Sequence, residues 1–301
     1  MEERKKLYFI YNPHSGREQI RTKLYHILQI FSDAGYDLAV CPTREKKDAV
    51  RRIELLPDDY DLVVCSGGDG TIDEVVQGMM RREVKIPIGY IPSGTVNDFA
   101  RSLKIPRDML KAARLAVEGT DFPCDMGTFN KEHFVYIAAF GIFTDVAYST
   151  NQNIKNVLGH MAYLLEGVKS LSGIRSSHIK ASWEGGELED DFIFGMITNS
   201  FSVGGFKNIT GKNVKLDDGV FEVTLIKMPH NAIELSNIMI SLLNRDIDTN
   251  AMYCFRTAEL TLESKEPVAW TLDGENGGSH TKVTIRNVCK GMDIRVKPLP
   301  E

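Results

Sequence analysis

Nothing in the 301 residues approaches the ~18 consecutive apolar positions that a bilayer-spanning helix requires. There is also no secretory core behind the N-terminus, where Met1-Glu2-Glu3-Arg4-Lys5-Lys6 runs directly into a strand-like stretch. The expectation is a cytoplasmic protein with peripheral membrane contact at most. Cysteine is sparse: Cys41, Cys65, Cys124, Cys254 and Cys289 are odd in number and scattered, without a C-x-x-C pair for zinc or redox chemistry. The seven histidines show no H-x-x-x-H spacing and no pairing with a serine or cysteine nucleophile. A basic excess is missing too. At a net charge of -5 and a pI near 5.9, no nucleic-acid partner is expected.

The rest of the composition, 43% hydrophobic and 26% charged, is that of a soluble globular chain without internal repeats. Its length exceeds the usual single-core size of roughly 100 to 200 residues, which predicts two domains. The first 121 residues alternate strand-like and helix-like segments, the pattern of βαβ units around a parallel sheet. Leu7 to Tyr11, Leu62 to Cys65 and Ile88 to Ile91 are short apolar runs, each followed by a Gly-containing turn. After the second, Ile72, Val75, Val76 and Met79 form one apolar helical face.

Residues 122–301 read as a β-rich domain, with strands expected at His133 to Ala139, Ile179 to Trp183, Phe192 to Thr198, Val220 to Ile226, Phe255 to Glu263, Val268 to Leu272 and Thr281 to Arg286. Helices are expected from about Asn156 to Ser172 and from about Ala232 to Leu243. Whether the last strand returns to the first domain is left open. Trp183 and Trp270 read as core or cleft-wall residues.

Three loops carry the chemistry. Ser66-Gly67-Gly68-Asp69-Gly70-Thr71 lies between a buried strand and a helix start, whose N-H donors and partial positive charge suit phosphate. An aspartate there would repel an anion unless it faced a cation or a ribose hydroxyl, so Asp69 implies Mg²⁺ nearby. Pro92-Ser93-Gly94-Thr95-Val96-Asn97-Asp98 repeats the device after the third run, and Asn12-Pro13-His14-Ser15-Gly16 after the first has small residues that let amides approach an anion, though read alone it is an ordinary strand-to-helix turn. Loops at strand ends of one open α/β sheet converge on one crevice. Neither the G-x-x-x-x-G-K-[ST] loop nor the G-x-G-x-x-G fingerprint is present, so this is a different solution to phosphate binding.

At these residues, together with Gly94 to Arg101 and Leu272-Asp273-Gly274-Glu275, the sequence resembles the diacylglycerol kinase catalytic-domain family, relatives of sphingosine kinases and more distantly of NAD kinases. The resemblance implies an N-terminal α/β nucleotide domain and a β-sandwich-like C-terminal domain, with ATP in the cleft between them. It implies ATP contacts from Thr43, from Asn12, Pro13, His14, Ser15 and Gly16, from Gly67, Gly68, Asp69, Gly70, Thr71 and Ile72, and from Gly94, Thr95 and Asn97; His14 is given no role of its own. Asp273 becomes the general base toward the acceptor hydroxyl, and Asp69, Asp98 and Glu275 the carboxylates around Mg²⁺. Lys215-Leu216-Asp217-Asp218-Gly219-Val220 resembles the family's structural Mg²⁺ loop, with Asp218 and the carbonyls of Lys215 and Val220 as ligands; read alone it is an Asp-Gly turn.

The implied function is phosphorylation of a lipid hydroxyl by ATP, with diacylglycerol the leading acceptor. Alternatives are another lipid such as phosphatidylglycerol, NAD, or a non-catalytic lipid or nucleotide sensor. The stretch Leu158 to Leu171, with Lys155, Lys169 and Arg175, would suit contact with an anionic membrane or packing on the second domain. A homodimer is a family-level expectation.

Overall fold

The structure, a computed structural model, describes residues 4–18, 20–142, 174–203, 206–207, 214–244 and 251–297. The expected helix at 156–172 and its apolar face lie outside the described residues. Two compact units divide the chain. One comprises Met1–Asp125 with Lys290–Glu301, the other Met126–Cys289.

The first unit is built on β1 (Lys5–Tyr11), β2 (Tyr36–Pro42), β3 (Leu62–Gly67) and β4 (Ile88–Pro92). They lie in the order β2-β1-β3-β4 and pair in parallel throughout. Parallel strands are covered on both faces, which is why β3 and β4 are buried at every position and read as unbroken apolar runs. Helix α1 (Ile20–Asp33) connects β1 to β2, and α2 (Asp48–Glu54) takes the chain back to β3 on the other side of β1. The direction of winding therefore reverses at β1 and β3, where an open α/β sheet binds its ligands.

Helix α3 (Asp69–Met80) starts immediately after β3 and buries Ile72, Val75, Val76 and Met79, the face its spacing predicts. Two shorter helices follow β4, namely α4 (Asp98–Ser102) and α5 (Met109–Glu118). Asp108 caps the latter by accepting hydrogen bonds from the Leu110 and Lys111 amides at 3.1 and 2.9 Å. Helix α1 packs against α5, and α2 against α3.

The second unit is a mostly antiparallel sheet. Its strands are β5 (Thr120–Phe129), which enters from the first unit, β6 (Glu132–Phe134), β7 (Ile137–Gly141), β8 (Ser177–Trp183), β9 (Gly186–Thr198), β12 (Phe221–Lys227), β13 (Met252–Thr257), β14 (Glu259–Leu272) and β15 (Glu275–Val296), while β10 (Ser202–Val203) and β11 (Phe206–Lys207) form a separate antiparallel pair. The main path runs β13-β12-β9-β7-β14-β15, and β8 also bridges β9 and β14. Alternate residues of one face, including Phe140, Ile197, Phe221, Val223, Leu225 and Trp270, form one core. Trp270 is its largest member, edge-on to Phe129 at 5.1 Å and tilted against Phe140 at 4.8 Å. Helix α6 (Ala232–Asn244) lays Leu235 and Ile238 onto Ile193, Ile226 and Met252. The end of β15 pairs with β4, placing Ile294 opposite Ile88 in the first unit's sheet.

Candidate functional site

Three loops leave the same ends of the parallel strands in the first unit, and the backbone ties them together. The Asn12 amide donates to Ser66 O at 2.9 Å, Ser93 N to Gly67 O at 2.8 Å, and Thr43 N to Tyr11 O at 2.8 Å. Each bond extends a strand pair by one step, so the turns begin side by side. Side chains add a second layer: Ser93 Oγ donates to Ser15 Oγ at 2.8 Å, joining the first and third loops.

Glycine is required where these loops touch. A Cβ on Gly94 would lie 2.7 Å from Gly68 Cα, closer than packed carbons allow. Gly16 has φ +57, and a Cβ there would overlap the Ser93 carbonyl. Asn12, Pro13, Ser15, Gly16, Thr43, Gly68 and Gly94 are half-buried, His14, Gly70 and Thr95 exposed, and Gly67, Thr71 and Ile72 buried. The His14 amide donates to Asn12 Oδ1 at 2.9 Å, a local turn that employs its backbone and not its ring.

The carboxylates of this unit stand at helix starts. Asp69 is the first residue of α3 and half-buried; Asp98 opens α4 and is 1% exposed, with Arg101 Nη1 3.9 Å from its Oδ1. Asn97, 5% exposed and left-handed at φ 54, closes the third loop: its Nδ2 donates to Gly94 O at 2.7 Å and its Oδ1 accepts from Gly94 N at 3.0 Å. Asp125, fully buried, accepts from Lys290 N at 2.7 Å and fixes the returning end of β15. As a lone aspartate in a strand, Asp125 carries no motif that would mark it in the sequence.

The second unit places Asp273 in the two-residue turn between β14 and β15, where Leu272 pairs with Glu275. Asp273 and Gly274 have φ 50 and φ 85, the doubly positive pattern of a type I′ hairpin, which Asp-Gly favours. The Asp273 side chain is held by three consecutive amides: Val135 N donates to Oδ2 at 2.6 Å, and Tyr136 N and Ile137 N to Oδ1 at 2.9 and 3.0 Å. Its own amide donates to Ile137 O at 2.9 Å. No side-chain motif marks residues 135–137, since all three contributions come from the main chain. Glu275 is exposed at the first position of β15.

The loop 215–220 precedes β12. Lys215 is exposed and Asp218 half-buried, and the Asp218 carboxylate pairs with the Arg256 guanidinium and accepts from Val220 N at 3.4 Å. Arg256 Nε also lies 3.3 Å from Oε1 of Glu222, a carboxylate only 7% exposed, and burial pushes Glu222 up to about 7 against the pull of that guanidinium. Among the described residues no three His, Cys, Asp or Glu side chains are grouped to hold a metal ion, and no helix is long and apolar enough to cross a membrane.

Residues 6–129 match the diacylglycerol kinase catalytic domain, and residues 137–296 the YegS C-terminal NAD kinase beta sandwich-like domain. The chain is 34% identical over 276 residues to a diacylglycerol kinase of Bacillus subtilis (strain 168), covering 91% of each. It is 31% identical over 277 residues to a diacylglycerol kinase of Staphylococcus carnosus (strain TM300), covering 91% of this chain and 90% of the relative. The fold is shared with a crystal structure of a diacylglycerol kinase from Bacillus anthracis str. Sterne, at 24% identity over 99% of both chains and a TM-score of 0.78. Tied loops at the parallel strand ends and full-length similarity thus lead to one conclusion: the chain belongs to the diacylglycerol kinase family of lipid phosphotransferases.

Proposed function

We propose that the protein phosphorylates the free hydroxyl of diacylglycerol with ATP, and that the loops 12–16, 67–72 and 94–97 with Thr43 hold the nucleotide. The observation that supports this most is the contact of Gly68 with Gly94, where two turns meet by bare backbone, while the hydroxyls of Ser15 and Ser93 join the first turn to the third. An anion at that point would approach main-chain N-H groups directly, including those that open α3, where the helix dipole favours negative charge. Relatives named diacylglycerol kinase along nearly the full length support the acceptor.

A divalent cation fits the donor chemistry of this site. Asp69 and Asp98 are hard oxygen donors at the starts of α3 and α4 and would hold it together with phosphate oxygens of the nucleotide; Glu275 belongs to the other unit and is given no part in it. When bound, the cation neutralises charge on the phosphate oxygens. At 215–220, Asp218 and the carbonyls of Lys215 and Val220 offer oxygens, but Arg256 already balances Asp218. A cation there would compete with a guanidinium, and no step is assigned to it.

Asp273 is the general base. A carboxylate oxygen of Asp273 takes the proton of the acceptor hydroxyl while the hydroxyl oxygen bonds to the γ-phosphorus and the bond from that phosphorus to the bridging oxygen breaks, releasing ADP. The amides of residues 135–137 fix its orientation in advance, so little rearrangement is needed when the proton moves.

The test is transfer of label from γ-labelled ATP to diacylglycerol in mixed micelles, with phosphatidylglycerol and NAD as parallel acceptors. Labelled phosphatidic acid is expected. Product from either other acceptor alone would reassign the substrate, and ATP binding without any transfer would leave a nucleotide sensor.

A further inference from the structure

Residue 90 lies in the middle of β4, where an apolar side chain would satisfy the packing, yet it is a tyrosine buried to 1% exposure. Its hydroxyl reaches out of the strand toward the loops: Oη is 3.2 Å from Gly67 O and 3.4 Å from Asn97 Oδ1. Neither acceptor depends on it. Gly67 O already receives Ser93 N at 2.8 Å, and Asn97 Oδ1 receives Gly94 N at 3.0 Å. A phenylalanine would bury the same ring without the cost of desolvating a hydroxyl.

We infer that Tyr90 is a positioning residue for the nucleotide: its hydroxyl spans the 67–72 and 94–97 loops from beneath and sets their spacing. The inference rests on the nucleotide reading above and adds a group outside the loops themselves. Gly67 is the last residue of β3, one step before the Gly68 that touches Gly94, and Asn97 brackets Gly94 through both its N-H and its carbonyl. A donor shared between those two points therefore acts on the one place where the loops meet. Burial, with the Asp69 carboxylate adding to it, raises the phenol well above its ordinary range, so the hydroxyl stays a donor at any working pH.

The experiment compares wild type, Tyr90→Phe and the Tyr90 position carrying p-aminophenylalanine, which keeps an N-H donor on the ring. Calorimetry gives the Kd for ATP with Mg²⁺, steady-state kinetics with diacylglycerol micelles gives KM for ATP and kcat, and thermal unfolding gives Tm. One neutral hydrogen bond corresponds to roughly a two- to tenfold effect. Tyr90→Phe is expected to raise Kd and KM for ATP together by about that factor while KM for diacylglycerol holds, and the amino variant is expected to recover most of the loss. A merely structural tyrosine would lower Tm and leave Kd for ATP unchanged. Unchanged ATP affinity in Tyr90→Phe overturns the inference whatever Tm does, as does failure of the amino variant to recover affinity. Wild type that binds no ATP defeats the nucleotide reading itself, a result distinct from both.

Discussion

The two units use the same chemical group, the backbone amide, in opposite ways. In the first, turns rich in glycine let one loop's main chain approach another's at Gly68 and Gly94, and the helix start of α3 adds N-H donors that have no intrahelical acceptor. In the second, three consecutive amides at residues 135–137 are taken up by one carboxylate of the chain itself, Asp273. An anion from outside suits the first arrangement; the second brings its own. Glycine at 94 is therefore required by the approach of one loop to another, whereas Asp273 is required by the fold of its own unit, beside the base role proposed for it.

The largest expected effect follows from that double role. Asp273→Asn should lower kcat by about 10² to 10⁴-fold, the contribution of a positioned base. It should also lower unfolding free energy by about 1 to 3 kcal/mol, because an amide nitrogen facing backbone donors leaves buried N-H groups without acceptors. Urea unfolding beside single-turnover kinetics separates the two. Stability lost with kcat intact would make Asp273 only the anchor of the 135–137 segment.

Gly94→Ala probes the opposite case. Its Cβ would sit 2.7 Å from both Gly68 Cα and Asn97 Oδ1, so the loops must part. Overpacking of this kind costs about 1 to 3 kcal/mol, and ATP affinity should drop by roughly 10- to 100-fold as the loops separate. Gly68→Ala meets Gly94 Cα at 3.4 Å and should be milder. Equal effects at the two positions would mean that the contact is not what shapes the site.

Much of this was legible in the sequence, and the exceptions have physical causes. β1, β3 and β4 announce themselves because strands buried on both faces are continuously apolar. β2 does not: as the edge strand Tyr36-Asp37-Leu38-Ala39-Val40-Cys41-Pro42 it is half exposed and has no such run. The expected strand His133 to Ala139 divides into β6 and β7, because the amides of residues 135–137 turn toward Asp273. The expected strand Phe255 to Glu263 breaks at Ala258, whose carbonyl accepts from Asn287 N. The loops were visible as glycine motifs, but what fixes them was not. The Tyr90 hydroxyl sits in an apolar run, and main-chain donors leave no trace in side-chain identity.

A second carboxylate of the same unit sharpens the comparison. Glu222, unlike Asp273, is not held by a row of amides from another segment among the described residues; Arg256 Nε, 3.3 Å from its Oε1, favours its charge, and the Asp218 carboxylate opposes it. Burial raises it from the ordinary 4.5 to about 7. An acid raised on folding keeps its proton in the native state after the unfolded chain has released it. Its stabilising contribution is thus complete below about pH 4.5 and is lost as pH rises to about 7, with a flat dependence above. The span is worth about 1 to 2 kcal/mol once the neighbouring charge and partial hydration are allowed for. Glu222→Gln should remove that slope from a plot of unfolding free energy against pH and leave the variant more stable than wild type above pH 7 by about the same amount. A wild-type curve already flat between pH 4.5 and 7 would mean that Arg256 alone keeps Glu222 ionised, and that a buried carboxylate here needs no amide donors at all.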